Sequence, residues 1–193
     1  MTGTGRVIIV GLGALGSHLM LLARNWPETL QGADFDSIEV KNMRSQFHTK
    51  MGIGKKKSVA LQTILNGLFG VKVDSIPHKL VPDNVSSILD HPRLVIDCTD
   101  NPEARNLIQG HCRKENIPCL HGCLSADGKF GRVVWSENFK ADDVDPNIPT
   151  CENEDRVAFY SLVTSYLVLT AREFLDNGRK HNFNITPWSL KAF

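Results

Sequence analysis

Three glycines at the spacing Gly-x-Gly-x-x-Gly give the clearest chemical signal in this chain. Gly11, Gly13 and Gly16 directly follow the four β-branched residues 7–10, and a segment with helical periodicity follows them. In such a strand–loop–helix unit the glycines allow a tight turn, backbone approach to a phosphate and close helix packing. The free N–H groups of the first turn of the helix face the anion. The pattern predicts a nucleotide site but fits NAD, FAD and ATP alike, and a turn without a ligand is the alternative.

A second group of polar residues follows the predicted strands, where parallel sheets bind their ligands. Asp34 and Asp36 fall just over twenty residues after Gly11, about where an acidic residue meets a ribose hydroxyl. Hydride transfer needs only the glycines and one acid, whereas nucleotidyl transfer also needs cations for the triphosphate and a carboxylate for Mg²⁺. Singly, each residue could equally be a turn residue, a solvated side chain or a helix cap. The whole group is Asp34, Asp36, Asn42, Arg44, Gln46, Lys57, Asp100, Asn101 and Arg105.

Alternating apolar segments predict the elements that position these residues. Their order is typical of a doubly wound, Rossmann-like α/β fold, in which a mostly parallel sheet carries helices on both faces. An additional edge strand is expected at 182–186, and antiparallel pairing is an option at that edge. Strands are predicted at 7–10, 29–36, 71–76, 93–98, 117–122 and 131–135, and helices at 17–25, 55–68, 84–89, 102–115 and 157–175.

Length and composition favour a single globular domain over residues 1–193. The polar, Asp- and Pro-rich segment 136–150 is expected to be a flexible crossing loop. A net charge of +1 argues against nucleic acid as a partner, and no apolar run is long enough to span a membrane. Five cysteines without a regular framework or an export signal indicate reduced thiols in the cytoplasm.

Together with the glycine loop, three segments resemble the ThiF/MoeB/HesA family, which is related to the ubiquitin-activating enzymes. The segments are DFDSIEVKNMRSQ, IGKKKSVALQ and LVIDCTDNPEARN, and the resemblance extends from Val7 to about Leu175. It implies an adenylyltransferase that uses ATP and Mg²⁺ to activate the C-terminal carboxylate of a ubiquitin-like or sulfur-carrier protein or a peptide, with release of pyrophosphate. A homodimer or a heterodimer is the expected assembly.

The same resemblance assigns roles to the polar residues. Carried over by position, Asp34 would bind the ribose, Lys57 would contact the phosphates, and Asp100 would hold Mg²⁺. Arg44, Lys57 and Asp100 would act in catalysis by positioning and charge neutralisation while the carboxylate attacks the α-phosphorus in line. The residues expected to bind the cofactor are Gly11, Gly13, Ala14, Gly16, Asp34, Asp36, Asn42, Gln46 and Asn101.

The chain departs from the family pattern in three ways. The family's arginine would fall at Ser45, and Arg44 stands one residue earlier, so either a shift in the loop restores the guanidinium or the triphosphate is held more weakly. Members usually carry an N-terminal helix whose arginine reaches the partner subunit's site, whereas this chain begins at its first strand. Paired Cys-x-x-Cys motifs are missing, so no structural zinc is expected.

Cys151 occupies the place where family members carry a cysteine that attacks the activated carboxylate or carries sulfur. A thiolate near a helix N-terminus is favoured by the helix dipole, and an unreactive loop cysteine is the alternative. Cys98, inside a predicted strand, is expected to be a core residue.

Two other functions remain open at this point. An NAD(P)-dependent oxidoreductase would bind its nucleotide without Mg²⁺ and would leave Lys57 without a role. A non-catalytic partner subunit of an activating enzyme would account for the lacking helix and the displaced arginine. The acceptor is open among a sulfur carrier, a ubiquitin-like modifier, a ribosomal peptide and a carboxylate on modified tRNA.

Overall fold

The computed structural model describes residues 5–140 and 156–193. The strands are β1 Arg6–Val10, β2 Thr29–Ala33, β3 Asp74–Ile76, β4 Leu94–Asp97, β5 Cys119–Leu124, β6 Gly131–Trp135, β7 Phe183–Thr186 and β8 Ser189–Ala192. The helices are α1 Ala14–Ala23, α2 Lys57–Phe69, α3 Val85–Ile88, α4 Pro102–Lys114 and α5 Val157–Asn177, with 3₁₀ helices at Val40–Arg44 and Lys50–Gly52. None of the helices in these two ranges is both long and apolar enough to cross a lipid bilayer.

All eight strands form one sheet, in the order β3-β2-β1-β4-β5-β6-β7-β8. Strands β1 to β5 pair in parallel, and β6, β7 and β8 extend the sheet in antiparallel fashion. This confirms the predicted mostly parallel α/β sheet with antiparallel edge strands. The registers align Val10 with Asp97 and Asp97 with His121, so residues from three strands meet near one end of the sheet.

Apolar side chains cover both faces of the sheet, in two separate core clusters. On one face, Ile9 packs in the cluster that includes Leu15 of α1, Leu61 of α2 and Leu167 of α5. On the other face, the cluster contains Ile8 and Val10 of β1 with residues of α3 and α4. The central strands are covered on both sides, so their sequences are continuous apolar runs. Such runs allowed their positions to be predicted from the sequence.

Local capping sets where the helices begin and end. Asn101 is the N-cap of α4, since its Oδ1 accepts a hydrogen bond from the Ala104 N–H at 3.1 Å and Pro102 follows at the first helical position. Helix α5 ends at Gly178, which takes the left-handed conformation with φ 70°.

Several predicted elements differ from the structure. Strand β2 ends at Ala33, so the acidic residues after it lie in a loop. The segment predicted as a continuous loop over 37–54 contains both 3₁₀ helices. Strand β8 has no counterpart among the predicted strands: its four residues are all exposed, and the strand is too short to give a clear pattern, so its order comes from pairing with β7.

A buried carboxylate holds the opposite end of the sheet together. The Glu28 side chain, only 1% exposed, accepts hydrogen bonds from Arg93 Nη1 at 2.6 Å and from Arg172 Nη1 at 2.8 Å. Burial alone would raise the pKa of Glu28, but the hydrogen bond from Arg172 and the positive charges of Arg172 and Arg93 outweigh it and lower the pKa. The network joins the segments before β2 and β4 to helix α5.

Replacing Glu28 by Gln is expected to lower the free energy of unfolding at pH 7 by about 2 kcal/mol, because the arginines, which are partly exposed, lose a buried charged acceptor. The folded pKa lies below the ordinary value of 4.5, so this stabilisation is fully present above about pH 4.5 and is lost as the pH falls through the folded pKa. Urea unfolding of both proteins from pH 3 to pH 7 measures it: the difference should shrink at low pH.

Glu173→Gln is the matched control, since Glu173 pairs with Arg179 at the surface, with side chains 33% and 72% exposed. This variant should change stability by about 0.5 kcal/mol or less. Equal losses in the two variants would contradict the assignment of Glu28 as a structural anchor.

Candidate functional site

A cavity of about 820 Å³ lies at the carboxyl ends of the parallel strands. Its wall is formed by the β1–α1 loop, the loop after β2, the β4–α4 turn and the β5–β6 hairpin. The fold therefore gathers most of the predicted site residues, although they come from distant parts of the sequence. Those that line the cavity are Gly11, Gly13, Ala14, Asp34, Asp36, Gln46, Lys57, Asp100 and Asn101.

The glycine loop is fixed by close backbone contacts. Gly11 has φ +84°, and its N–H donates to the carbonyl of Ala33 at 2.9 Å. A Cβ on Gly16 would lie 1.9 Å from the Gly11 carbonyl oxygen, so only glycine permits this approach of α1 to the loop. Gly16 is not among the cavity-lining residues, and it acts by allowing the loop to close.

Asp34 ties the glycine loop to the end of β2. Its Oδ2 accepts the Leu12 N–H at 2.7 Å, and its Oδ1 accepts the Asp36 N–H at 2.8 Å. Burial, the largest cause, raises the pKa of Asp34 against the opposing effects of Lys57 and the two backbone donors. The carboxylate is therefore held by main-chain groups on both sides.

Lys57 supplies a buried cation beside this loop. It is the first residue of α2, is 7% exposed, and its Nζ lies 3.0 Å from Asp36 Oδ2. The Lys57 N–H also donates to the Asp36 carbonyl at 2.9 Å, so the main chain and the ion pair fix the ammonium together. A lysine placed in this way can act as a point charge for a phosphate.

The predicted site residues Asn42 and Arg44 belong to the 3₁₀ helix Val40–Arg44 and are not among the cavity-lining residues. Asn42 is buried, and its Oδ1 accepts the Glu39 N–H at 2.8 Å in a capping box, so its side chain supports the helix. Arg44 is exposed and the neighbouring Ser45 is buried, and neither of these residues lines the cavity. Of the polar residues predicted in this segment, Gln46 alone reaches the lining.

The β4–α4 turn presents the polar residues Thr99, Asp100 and Asn101 to the cavity. Asp100 and Asn101 lie three and four residues after the buried end of β4 at Asp97, and both are exposed at the cavity wall. Cys98, predicted as a core residue, packs against the core and also lines the cavity, and burial raises the pKa of its thiol. Cys151 and residues 141–150 of the predicted crossing loop lie outside the described residues.

Arg105 emerges as a central residue of the cavity, although the sequence indicated only its general location. Its Nη1 donates to Cys123 Sγ at 2.6 Å, and its Nη2 donates to the carbonyls of Thr99 and, at 3.1 Å, Gly122. The guanidinium thus joins the β4–α4 turn to β5. No local pattern could reveal the contacts with Gly122 and Cys123, because these two residues belong to β5.

The protein does not present a ready-made metal cage in the part of the chain that the structure describes. No group of three or more His, Cys, Asp or Glu side chains there is arranged to hold a metal ion. Mg²⁺ at phosphate-transfer sites is usually held by one or two carboxylates together with substrate phosphates and water. The carboxylate of Asp100, which is one of several at the cavity and is exposed at its wall, fits this mode of binding.

Comparison with known proteins places this chain in a family. A family model described as the ThiF family matches residues 3–192. The chain belongs to the ThiF family. Molybdopterin-synthase adenylyltransferase of Salmonella typhimurium is 28% identical over 137 residues, which are 69% of this chain and 55% of that protein. The sulfur carrier protein ThiS adenylyltransferase of Bacillus subtilis is 29% identical over 135 residues, which are 67% of this chain and 40% of that protein.

Solved structures show the same fold. The crystal structure of E. coli MccB with ATP matches 98% of this ThiF-family chain and 62% of its own chain, with a TM-score of 0.79 and 15% identity. Selenomethionine PaaA matches 98% of this chain and 62% of its own, with a TM-score of 0.73 and 16% identity. The chain spans about half the length of the two curated relatives, the adenylyltransferases of Salmonella typhimurium and Bacillus subtilis.

Gly16→Ala is expected to lower the free energy of unfolding by more than about 2 kcal/mol, because the added methyl group meets the Gly11 carbonyl. Gly110→Ala in α4 is the matched control, since a Cβ there has nothing within 4 Å. It should raise stability by about 0.5–1 kcal/mol. Thermal and urea unfolding measure both changes, and a Gly16 variant as stable as the wild type would refute the close-contact argument.

Proposed function

We propose that this chain is an ATP- and Mg²⁺-dependent adenylyltransferase that activates a C-terminal carboxylate and releases pyrophosphate. The observation that carries the proposal is the shared cavity: the glycine loop, the buried Lys57 ammonium and the Asp100 carboxylate all line it. Membership of the ThiF family and the similarity to named adenylyltransferases support the same reaction.

Within this proposal, ATP binds across the glycine loop. The first turn of α1 directs its N–H groups toward the phosphates, and Lys57 neutralises part of their charge. Asp34 accepts a ribose hydroxyl, since a carboxylate has lone pairs beyond the two occupied by the N–H groups of Leu12 and Asp36. Gln46 and Asn101 line the same space.

Asp100 is the residue that would hold Mg²⁺ against the phosphates. The ion supplies Lewis-acid polarisation and charge neutralisation at the phosphoryl oxygens. The chain's own groups bind and orient the triphosphate and leave the α-phosphorus open to the incoming carboxylate. Covalent participation of the protein is unnecessary in this step, because positioning and electrostatic stabilisation provide the rate increase.

The acceptor is proposed to be a sulfur-carrier or ubiquitin-like protein or a peptide. Its tail would reach the phosphates from the side of the cavity formed by the β5–β6 hairpin, where Cys123, Ser125 and Phe130 line the wall. The Bacillus subtilis relative acts on the sulfur carrier protein ThiS according to its description, and the Haloferax volcanii relative is described as a SAMP-activating enzyme. A complete enzyme in this family is proposed to be a dimer.

The deciding experiment incubates the protein with ATP, Mg²⁺ and a panel of carrier proteins and peptides. Intact-mass spectrometry of each acceptor should reveal the added mass of AMP, together with release of pyrophosphate. NAD in place of ATP is the control for an oxidoreductase. Tight NAD binding without Mg²⁺ dependence, and no adenylated acceptor, would refute the proposal.

Asp100→Asn is expected to reduce ATP–pyrophosphate exchange at least about 100-fold, because one carboxylate ligand contributes several kcal/mol to the transition state. Stability should be nearly unchanged, since the side chain is exposed. Asp83→Asn, an exposed carboxylate outside the cavity lining, is the control and should retain exchange. Undiminished exchange in the Asp100 variant would exclude this residue as the metal ligand.

Lys57→Ala is expected to weaken the use of ATP by about 2–4 kcal/mol in kcat/KM, because a buried cation is removed from the phosphates. Lys55→Ala removes an equal charge two residues away, from an exposed side chain that does not line the cavity. That variant should behave as the wild type. Equal effects of the two substitutions on kcat/KM would mean that the overall positive charge of the region, and not a contact of Lys57 with the phosphates, supports the use of ATP.

A further inference from the structure

A fully buried histidine–aspartate pair lies directly beneath the turn that carries Asp100. His121 and Asp97 are both 0% exposed and face each other on the paired strands β5 and β4. The His121 Nδ1 lies 2.8 Å from Asp97 Oδ2, and a carboxylate can only accept, so Nδ1 is the donor. The proposed chemistry makes no direct use of this pair.

The other oxygen of Asp97 holds the turn itself. Asp97 Oδ1 accepts both the N–H of Thr99 at 2.9 Å and its hydroxyl at 2.7 Å. From the opposite side, Arg105 Nη2 donates to the carbonyl of Thr99. Thr99 is therefore held through its N–H, its hydroxyl and its carbonyl, and it is the residue immediately before Asp100.

The His121 ring is itself fixed in one orientation. It stacks on Phe139 with ring centroids 4.1 Å apart and an interplanar angle of 12°. Its Nε2 lies 3.5 Å from the thiol of Cys119. A ring held on its face and at both nitrogens cannot turn, so it directs the Asp97 carboxylate toward Thr99.

We infer that His121 is a positioning residue: through its hydrogen bond to Asp97 it orients Thr99 and so places the Asp100 carboxylate at the cavity. The consequence for magnesium rests on the proposed function, whereas the consequence for Thr99 does not. Buried polar pairs add little stability compared with apolar residues of the same volume, and they supply a defined geometry. Outer hydrogen-bond partners of this kind tune metal ligands in other proteins.

Removing the donor should release the turn. Without His121 the buried Asp97 carboxylate either takes up a proton or rotates, and both changes weaken its two bonds to Thr99. His121→Leu removes the donor at similar volume, whereas His121→Asn keeps an N–H donor near the position of Nδ1. If His121 acts through this hydrogen bond, the turn at Thr99 stays ordered in His121→Asn and loosens in His121→Leu.

The test combines two measurements on the full chain. The first is hydrogen exchange of the Thr99 amide, which should become roughly tenfold faster or more in His121→Leu and stay protected in His121→Asn. The second is the affinity for AMPCPP with and without Mg²⁺. The Mg²⁺-dependent gain in affinity should fall about 10- to 100-fold in His121→Leu and be largely retained in His121→Asn. Affinity without Mg²⁺ should change little.

Val134→Ala is the control for general loosening, because Val134 is fully buried and pairs with His121 in register but makes no bond to Asp97. It should reduce stability and leave both measurements near the wild type. The inference is overturned if Val134→Ala and His121→Leu give the same result, or if Leu and Asn at position 121 behave alike. If the affinity of the wild type for AMPCPP does not depend on Mg²⁺, the proposed magnesium role is refuted instead. The hydrogen-exchange rate of the Thr99 amide then still decides whether His121 positions the turn.

Discussion

The hydrogen bonds of Asp34 hold three distant stretches of the sequence in one rigid unit. One oxygen accepts from Leu12 in the glycine loop, and the other accepts from Asp36. The main chain of Asp36 then accepts from Lys57, and the Asp34 carbonyl accepts from the Ser58 hydroxyl at 3.2 Å. The glycine loop, the acidic residues after β2 and the start of α2 with the buried Lys57 thus belong to one bonded network.

The Glu28 ion network and the cavity lie at opposite ends of this sheet. Glu28, with its two arginines, fastens the segments that lead into the strands, and the cavity residues follow the strands at their carboxyl ends. At the cavity, Asp100 and Asn101 are exposed, so their side chains can be replaced with limited effect on folding. Asp34 and Lys57 are instead buried in the network that holds the glycine loop, so replacing either is expected to lower stability as well.

The sequence predicted those structural features that depend on residues close together in the chain. Buried runs such as residues 7–10 located the strands, and Asn101-Pro102 located the start of α4, because both signals depend on neighbouring residues. It could not show that Asn42 caps a 3₁₀ helix, nor that Arg44 lies outside the cavity lining, because those orientations depend on how the loop folds back. Arg105 and His121 have partners on other elements, so their geometry has no signature in the linear chain.

The two halves of the sheet differ in how freely their loops can change. In the parallel half, the loops at the cavity are fixed by the glycine contacts and by Asp34, so an insertion there would break bonds at the site. In the antiparallel half, the β5–β6 turn borders the cavity, and by strand register the β7–β8 turn lies at the same end of the sheet. Such turns tolerate insertions and deletions without altering the strands behind them. Insertions in these turns would therefore change the outline of the cavity mouth, and with it the molecules that fit there, while the parallel half of the sheet stays the same.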